Sequence, residues 1–337
     1  MRAIFHWLGW TLGLSVGFIS SHIQAQTPVP APLPTQGSAG WPTKIIRWIV
    51  PWPPGGGADV LARILQGPLS EALGQPVMVD NRGGAAGNIG AELAAKSPPD
   101  GYTILFAYSG THSINPHIYK KMPFKESDLS PILLTAAVPQ VIVVHPSMPV
   151  KTPMDIVKLA RAHPDQFTYG SSGNGAINHL AGAFFSSLTL SPLTHIPYKG
   201  GGPAAMALMG GEIAMIFGEP ATVVQHIKSG KMKAIAVTSA RRALAMPELP
   251  TVIETGIAGY DVTSWNGIYA PVNTPVDIIQ RFNTELNRII NVPAMRKRMI
   301  ENGYEPVGGP PEKFGNFVHA ELLKWAPVIK AAQIRVD

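Results

Sequence analysis

Cysteine is absent from the 337-residue chain. This absence excludes disulfide bonds, thiolate ligands for a metal, and membrane attachment through a lipid-modified N-terminal cysteine. Charged residues are scarce as well, at 14% of the chain, and the formal net charge is +6. The lysines and arginines are scattered, and the cluster from Arg296 to Arg298 falls in a helical pattern typical of a solvated face. Nucleic-acid binding is therefore disfavoured, whereas a mild positive field would suit small anions.

Long apolar runs are almost absent too, and the one that stands out lies near the N-terminus. Arg2 is the only charge before a mostly apolar run at residues 7–19, which is short for a membrane span, and Ala25 suits cleavage by signal peptidase. We predict that residues 1–25 are a signal peptide for export, whose removal lowers the net charge to +5. Residues 26–40 are rich in Pro, Ser, Gly and Gln and predict a disordered linker. No second run of this kind follows, so we expect the mature protein to be soluble.

Groups that carry catalysis are few. The ten histidines are dispersed, and the sequence has no His-Glu-x-x-His pair for zinc. Gly-Ser-Ser-Gly-Asn at residues 170–174 resembles the nucleophile elbow of serine hydrolases, but its fifth residue is Asn where that motif has Gly. An exported hydrolase that uses Ser171 or Ser172 is the enzymatic alternative, although a serine in a glycine-rich turn is more often a hydrogen-bonding group. We expect no metal, no cofactor and no enzymatic activity.

What the chain does contain is a set of glycine-rich loops, and the first of them organises the rest. The apolar, β-branched run at residues 45–50 predicts a buried strand, which Pro53 and Pro54 end because proline fixes φ and lacks an N–H. Three glycines and a helical pattern from Asp59 onward follow. The first N–H groups of a helix lack partners and the dipole is positive there, so this arrangement favours an anion site. The loop matches neither the dinucleotide fingerprint nor the phosphate loop, and an ordinary βα turn is the alternative.

The same order of strand, small residues and helix recurs along the chain, at residues 76–96, 167–180, 194–209 and 212–229, and a further strand at residues 102–108 is followed by Ser-Gly-Thr-His at 109–112. Strands that alternate with helices through short connections indicate parallel sheets with helices on their faces. A β-rich segment at residues 132–144 predicts a crossing to a second lobe, and a strand at residues 233–238 predicts the return. We expect the first helix to kink or stop at Gly67 and Pro68, and Pro327 to kink the last helix.

Few side chains stand out beside these loops. Asp59 is expected to cap or steady the first loop from the first turn of the helix, with a general base as the alternative. Glu219 follows a predicted strand and is an acid/base group, an acceptor that selects donors on a ligand, or a turn residue. Trp265 either covers a ligand or belongs to the core. Backbone N–H groups from two facing helix N-termini can hold a carboxylate without an arginine, which suits a binding protein that must release its ligand.

Taken together, the motifs resemble those of the Bug proteins, the substrate-binding subunits of tripartite tricarboxylate transporters. The resemblance covers about residues 41–335. It is carried by Ile-Val-Pro-Trp-Pro-Pro-Gly-Gly at residues 49–56 with Asp59, Asn-Arg-Gly-Gly-Ala-Ala-Gly at 81–87, Pro-Asp-Gly-Tyr at 99–102, Tyr-Gly-Ser-Ser-Gly at 169–173, Pro-Tyr-Lys-Gly at 197–200, Leu-Pro-Thr-Val at 249–252 and Trp-Asn-Gly at 265–267. Each motif is weak alone, whereas the set is specific.

The resemblance implies an α/β protein with the two-lobe periplasmic-binding-protein fold (type II), in which parallel-rich sheets with flanking helices are hinged by crossover strands. Lobe 1 would comprise residues 41–139 and 240–337, and lobe 2 would comprise residues 140–239. It also implies a periplasmic location and delivery of the ligand to the integral-membrane permease subunits of a tripartite tricarboxylate transporter. A sensor kinase is the alternative partner, and we expect a monomer.

The resemblance further implies that a ligand carboxylate is held between the first loop and the loops of lobe 2, partly through ordered water. Carried over by position, with Glu219 and Trp265 added, the contacts are Pro53, Gly55, Gly56, Asp59, Ser109 and Thr111 in lobe 1, and Ser171, Ser172, Gly173 and Asn178 in lobe 2, with Lys199 and Gly200 nearby. The ligand stays open between a di- or tricarboxylate, an acidic amino acid and an aromatic carboxylate. Trp52, Tyr108 and Trp265 slightly favour one with a flat or apolar part.

Overall fold

The structure, a computed structural model, describes residues 40–164 and 167–335. The predicted signal peptide (residues 1–25) and all of the predicted linker (residues 26–40) except Gly40 lie outside the described residues. Within the described ranges, no helix combines the length and the apolar character that crossing a bilayer requires.

Strands and helices alternate along most of the described chain. The strands are β1 (Ile46–Val50), β2 (Val77–Asn81), β3 (Thr103–Tyr108), β4 (Leu129–Pro139), β5 (Val141–Val144), β6 (Thr168–Ser171), β7 (Thr194–Pro197), β8 (Met215–Gly218), β9 (Lys233–Val237), β10 (Thr263–Pro271) and β11 (Glu305–Pro306). The helices are α1 (Gly57–Leu73), α2 (Asn88–Ala95), α3 (Asn115–Ile118), α4 (Pro153–Ala162), α5 (Ile177–Thr189), α6 (Gly201–Met209), α7 (Pro220–Lys228), α8 (Val276–Asn291), α9 (Pro293–Glu301) and α10 (Pro311–Ala331).

The first sheet has the strand order β11-β4-β10-β3-β1-β2. β1 pairs in parallel with both β2 and β3, which confirms the predicted βαβαβ unit. Its apolar sequence reflects burial on both faces, because Trp48 packs in the cluster that contains Leu61 of α1, whereas Ile49 packs on the opposite side with Ala91 of α2. β10 returns from the second half of the chain and pairs antiparallel with β3 and β4.

The second sheet has the order β7-β6-β8-β5-β9 and draws on residues 141–237. β6 is parallel to β7 and β8, whereas β5 is antiparallel to β8 and β9. The structure is therefore a mixed α/β fold with two sheets, parallel-rich where strand–loop–helix units follow one another. The carboxyl ends of β6 and β8 carry the loops that begin at Ser171 and Glu219.

The chain passes between the sheets at Gln140, the single residue between β4 and β5. It returns in the segment between β9 and β10. The two passages are tied together: the N–H of Gln140 donates to Thr238 Oγ1 at 2.9 Å, and the N–H of Thr238 donates to the carbonyl of Gln140 at 2.9 Å. This pairing places the crossover strands side by side, as a hinge between two lobes requires.

The return to the first sheet comes later than residue 240. Val252 and Tyr260, which precede β10, pack in the hydrophobic cluster of the second sheet. α10 spans both clusters, because Phe314 near its start packs with the first sheet and Trp325 near its end packs with the second. Apolar packing rather than chain order therefore assigns residues 252–262 and the end of α10 to the second sheet.

Of the two outcomes predicted for α1 at Gly67 and Pro68, a kink or a stop, the stop does not occur. α1 continues to Leu73 and buries Leu65, Leu69 and Leu73. This packing outweighs the hydrogen bond that Pro68 cannot donate, as tertiary contacts commonly override local propensity. α10 likewise continues through Pro327 to Ala331.

Candidate functional site

A cleft with a volume of about 810 Å³ lies between the two sheets. Loops at the carboxyl ends of strands form both of its walls, which is where ligands bind in open α/β sheets. The lining on the side of the first sheet is residues 52–58, Ala86, Tyr108, Gly110, Val138, Ser264, Asn266 and residues 302–304; on the side of the second sheet it is residues 172–177, Glu219, Ala221 and Thr222. Asn115, Ile118 and Tyr119 also line the cleft, and the last two pack with the hydrophobic cluster of the second sheet.

The first loop brings the N-terminus of α1 to the cleft. Gly55 has φ +84°, a left-handed conformation that glycine adopts without strain, and the chain then enters α1 at Gly57. Gly56 stands at the N-cap position, and no side chain caps the helix there. Gly57 and Ala58 themselves line the cleft, so the first turn of the helix presents unshielded N–H groups and the positive end of its dipole to the cavity.

Asp59 fixes this loop from behind. Its carboxylate is almost fully buried and accepts hydrogen bonds from the N–H of Gly55 at 2.9 Å, from Arg63 Nε at 2.9 Å and from Asn81 Nδ2 at 3.0 Å. Burial alone would raise the pKa of Asp59, but these three bonds outweigh burial and leave the pKa below its ordinary value. Asn81 also donates to the carbonyl of Trp52, so the same cluster fixes both ends of the loop.

The loop after β6 repeats the arrangement from the other side. Asn178, in the first turn of α5, accepts from the N–H of Ser172 at 3.1 Å and from its hydroxyl at 3.0 Å. Gly173 and Gly175 both have positive φ, and no side chain caps α5 at Ala176. Residues 172–177 line the cleft, so the N-termini of α1 and α5 both open on the same cavity.

Two stacked histidines support this second loop. The rings of His179 and His195 lie 3.7 Å apart between centroids and are nearly parallel. His179 Nδ1 accepts from the N–H of Gly175, and His195 Nε2 lies 2.6 Å from the hydroxyl of Ser171. Burial, with His195 as a second cause, lowers the pKa of His179 to about 3, and burial lowers the pKa of His195 to about 4. Both rings are therefore neutral near pH 7.

The contact between Ser171 and His195 does not form a hydrolytic site facing the cleft. Ser171 is fully buried and is absent from the cleft lining, so a substrate in the cleft would not reach its hydroxyl. Ser172 does line the cleft, but its hydroxyl donates to Asn178 rather than to a base.

Glu219 brings a carboxyl group to the cleft from the end of β8. Its side chain is half-buried and lies beside Tyr108, which ends β3 in the first sheet. Burial raises the pKa of Glu219 above its ordinary value, and the hydroxyl of Tyr108 opposes that shift only in part. Burial also raises the pKa of Tyr108, and the negative charge of Glu219 adds to the effect. Both side chains line the cleft, one from each lobe.

The residues singled out from the sequence fall into three groups. Those that line the cleft are Pro53, Gly55, Gly56, Ser172, Gly173 and Glu219. Asn178 lies beside it, where it positions Ser172 and lines a smaller cavity of about 80 Å³. Those outside the cleft lining are Asp59, Ser109, Thr111, Ser171, Lys199, Gly200 and Trp265.

Most of the third group support the walls of the cleft. The hydroxyl of Ser109 pairs with that of Ser264 at 3.1 Å, and Thr111 donates to the carbonyl of Ala86 at 3.2 Å. Lys199 is exposed to solvent, away from the cleft lining, and Gly200 caps α6. The placement of Trp265 at the ligand is corrected: its indole is fully buried and packs edge-on against Phe314, because β10 is a central strand whose residues are covered on both faces.

Sequence reasoning missed the segment at residues 302–304. It follows α9, far from the first loop in sequence, and reaches the cleft because β11 pairs with the edge of the first sheet at β4. There Tyr304 donates its hydroxyl to the carbonyl of Gly57 at 2.7 Å and so braces the start of α1. Asn266 was missed for a similar reason, since only its register opposite Tyr108 in β10 and β3 brings it to the wall.

Residues 61–334 match the family described as "Tripartite tricarboxylate transporter family receptor". The chain is 34% identical over 292 residues to protein BugT of Bordetella pertussis, a match that covers 86% of this chain and 90% of the relative.

Two solved structures are also similar to this chain in fold and in sequence. Rpa4515 of R. palustris with adipate superposes with a TM-score of 0.78 at 34% identity, over 88% of this chain and 99% of that protein. MatC of Rhodopseudomonas palustris with bound malate superposes with a TM-score of 0.73 at 26% identity, over 86% of this chain and 100% of that protein.

Proposed function

The chain belongs to the family of tripartite tricarboxylate transporter receptors, and from that premise we propose that it captures a small carboxylate between its two lobes and delivers it to the membrane permease of such a transporter. The observation that carries this proposal is the pair of helix N-termini, α1 and α5, that open on one cleft. Unpartnered N–H groups and two positive dipole ends bind an anion without a cationic side chain. The adipate in Rpa4515 and the malate in MatC support a carboxylate as the ligand.

In this proposal one carboxylate of the ligand binds between the first loop, at Pro53, Gly55 and Gly56, and the loop after β6, at Ser172 and Gly173, partly through ordered water. Asp59 and Asn178 hold these loops in shape. Lobe 1 consists of residues 41–139 and 263–324, and lobe 2 consists of residues 140–262 together with the end of α10. The crossings at Gln140 and after Thr238 act as the hinge.

We further propose that the protein acts in the periplasm after cleavage of residues 1–25, that it is a monomer, and that it is not an enzyme. A hydrolase is the weaker candidate because the buried Ser171, which contacts His195, is outside the cleft lining. Sustained hydrolysis of a p-nitrophenyl ester that disappears in Ser171→Ala or Ser172→Ala would contradict the binding role. A sensor kinase would bind the same ligand-loaded form, so pull-down with purified permease subunits distinguishes the partners.

The direct test is a thermal-shift screen of the exported chain against a library of carboxylates, followed by calorimetry on each hit. A ligand at a hundredfold excess over its Kd stabilises the folded state by about 2.7 kcal/mol, which such a screen detects. The matched amides and alcohols serve as controls, because they keep the carbon skeleton and remove the negative charge. Stabilisation by the neutral analogues as strong as by the acids would contradict an anion site at the helix N-termini.

A further inference from the structure

The cleft combines an anion site with an acid. Among its lining residues, Glu219 is the one with an acidic or basic side chain; no Lys, Arg, His or Asp is among them. A negative charge in the cleft repels any ligand whose second group is also a carboxylate. A carboxylate side chain in the cleft would therefore weaken the binding of a dicarboxylate, and its presence points to a ligand whose second group is not an anion.

The fully buried acids in the described part of the chain have cationic partners: Asp59 is paired with Arg63, Glu285 with Arg288 at 2.7 Å, and Glu321 with Lys324 at 2.6 Å. Glu219 is half-buried, like Glu126 and Glu305, which also lack an ion pair among the described residues but do not line the cleft. The ion pairs found among the described residues do not include Glu219. Burial removes water from a carboxylate and raises the free energy of its ionised form when no cation or donor replaces that water. A positively charged group on a ligand would replace the lost hydration.

The surroundings of Glu219 leave room for such a partner. The hydroxyl of Tyr108 is a neighbouring donor on the side of lobe 1, whereas an ionised carboxylate has about four acceptor positions. The ring of Tyr108 packs edge-on against Trp52 at 5.2 Å, which holds it in place. Glu219 lines the cavity, so its remaining acceptor positions are open to a ligand.

Glu219 also lies close to where the carboxylate of a ligand is expected. It lines both the main cleft and the smaller cavity beside it, and Ser172 and Thr222 line the same two spaces. A ligand anchored at the N-terminus of α5 therefore has part of its skeleton within reach of Glu219.

We propose that Glu219 selects carboxylate ligands that also carry a hydrogen-bond donor, an ammonium group above all, over dicarboxylates of the same length. This inference rests on the proposed function, since it takes the helix N-termini as the site of the ligand's carboxylate. The ligand is then an amino-carboxylate whose positive group pairs with Glu219 while its negative group meets the N–H groups. The net charge of such a ligand is zero, which matches a cleft that offers one acid and two helix dipoles.

The test is calorimetry with two matched series of ligands. The six-carbon series is adipate, 6-aminohexanoate, 2-aminohexanoate and hexanoate, and the four-carbon series is succinate, 4-aminobutanoate, 2-aminobutanoate and butanoate. We expect an amino-carboxylate in at least one series to bind the wild type about tenfold or more tighter than both the dicarboxylate and the plain acid. Glu219→Gln should remove most of that preference and leave the dicarboxylate unchanged or tighter.

Glu212→Gln is the matched control, because it removes an exposed carboxylate from the same lobe outside the cleft lining. It should keep the preference of the wild type. The ligand series on the wild type tests the proposal even if Glu219→Gln fails to fold.

Each other outcome counts against the proposal. Dicarboxylates that bind the wild type as tightly as the amino-carboxylates, with Glu219→Gln changing neither by more than about twofold, overturn the selection while the carboxylate-binding function stands. A loss of dicarboxylate binding in Glu219→Gln would mean that a protonated Glu219 donates to an anion, which also overturns it. Failure of every acid in both series to bind contradicts the proposed function itself.

Discussion

The backbone N–H of Gly55 donates to the carboxylate of Asp59 at 2.9 Å. This bond joins the tip of the first loop to the first turn of α1, and Arg63 and Asn81 fix the carboxylate in turn. The shape of the proposed anion site therefore depends on one buried carboxylate that is outside the cleft lining. In the proposed site the carboxylate of a ligand meets backbone N–H groups, so its binding should depend on loop geometry more than on cationic side chains.

Gly56→Val should abolish ligand binding while the protein stays folded. Gly56 has φ −77°, which any residue adopts, and a Cβ there would lie 3.7 Å from the nearest carbonyl oxygen, an ordinary contact. The two methyl groups would instead cover the N-terminus of α1 in the cleft. We expect affinity to fall by more than about a hundredfold, with no binding detected by calorimetry and a melting temperature close to that of the wild type.

Two controls accompany this variant. Gly202→Val places the same side chain in the first turn of α6, where a Cβ meets no atom within 4 Å, and should keep full affinity. Lys199→Ala removes an exposed charge and should change affinity by no more than about twofold. If Lys199→Ala removes binding and Gly56→Val keeps it, the carboxylate is held by an ion pair elsewhere.

The parts of the fold that the sequence predicts well are those with a local cause. Pro53 and Pro54 end a strand, and the glycines after them open a helix, wherever the rest of the chain lies. The order of strands and helices then gives two α/β units, each with three parallel strands, and a crossing between them within residues 132–144. The family motifs locate the loops that line the cleft for the same reason, because each motif is a strand end with its turn.

What the sequence leaves open depends on contacts between distant segments. Trp265 and Tyr304 are both aromatic residues near a strand, yet the first is buried in the core and the second lies at the cleft. Only the central place of β10 and the edge place of β11 in the sheet distinguish them. Pro68 likewise predicts a kink or an end of the helix, and packing of the leucines around it lets the helix continue to Leu73.

Asp59→Asn should weaken binding modestly and reduce stability. The three groups around the carboxylate are all donors, and an amide keeps one acceptor oxygen but turns an NH₂ group toward a donor. We expect the free energy of unfolding to fall by about 1–3 kcal/mol and affinity to fall by about tenfold, measured by urea denaturation and calorimetry. Asp277→Asn, in the first turn of α8 and away from the cleft lining, is the matched control and should leave affinity unchanged. Full affinity in Asp59→Asn would mean that the loop keeps its shape without this bond.

The stacked histidines should make stability depend on pH. The folded pKa values of His179 and His195, about 3 and about 4, lie below the ordinary value of 6.5, so the unfolded chain binds more protons as the pH falls. The stability of the folded state is therefore unaffected by the two histidines above pH 6.5 and falls progressively between about pH 6.5 and their folded pKa values. The pKa of Glu219 is raised by burial, so this residue instead lowers the stability of the folded state as the pH rises through its pKa.

The measurement compares melting temperatures from pH 8 to pH 4.5 in the wild type and in His195→Gln, which keeps a donor for Ser171. The variant should lose less stability over this range, and His163→Gln, an exposed histidine of the same lobe, should follow the wild type. Identical pH profiles for the wild type and His195→Gln would show that His195 titrates normally in the folded protein.

The two lobes should close on the ligand, because the site is split between them. Among the described residues, Tyr108 of lobe 1 and Glu219 of lobe 2 lie beside each other across the cleft, and Gly303 of lobe 1 is so close to Pro220 of lobe 2 that an added Cβ would lie 3.0 Å from the Cβ of Pro220. Opening would separate both pairs, and we expect the paired crossovers at Gln140 and Thr238 to provide the axis. Small-angle scattering should therefore give a smaller radius of gyration at saturating ligand than in its absence. Gly56→Val, exposed to the same ligand concentration, should keep the larger value, and an unchanged profile of the wild type at saturation would mean that the cleft is a rigid pocket.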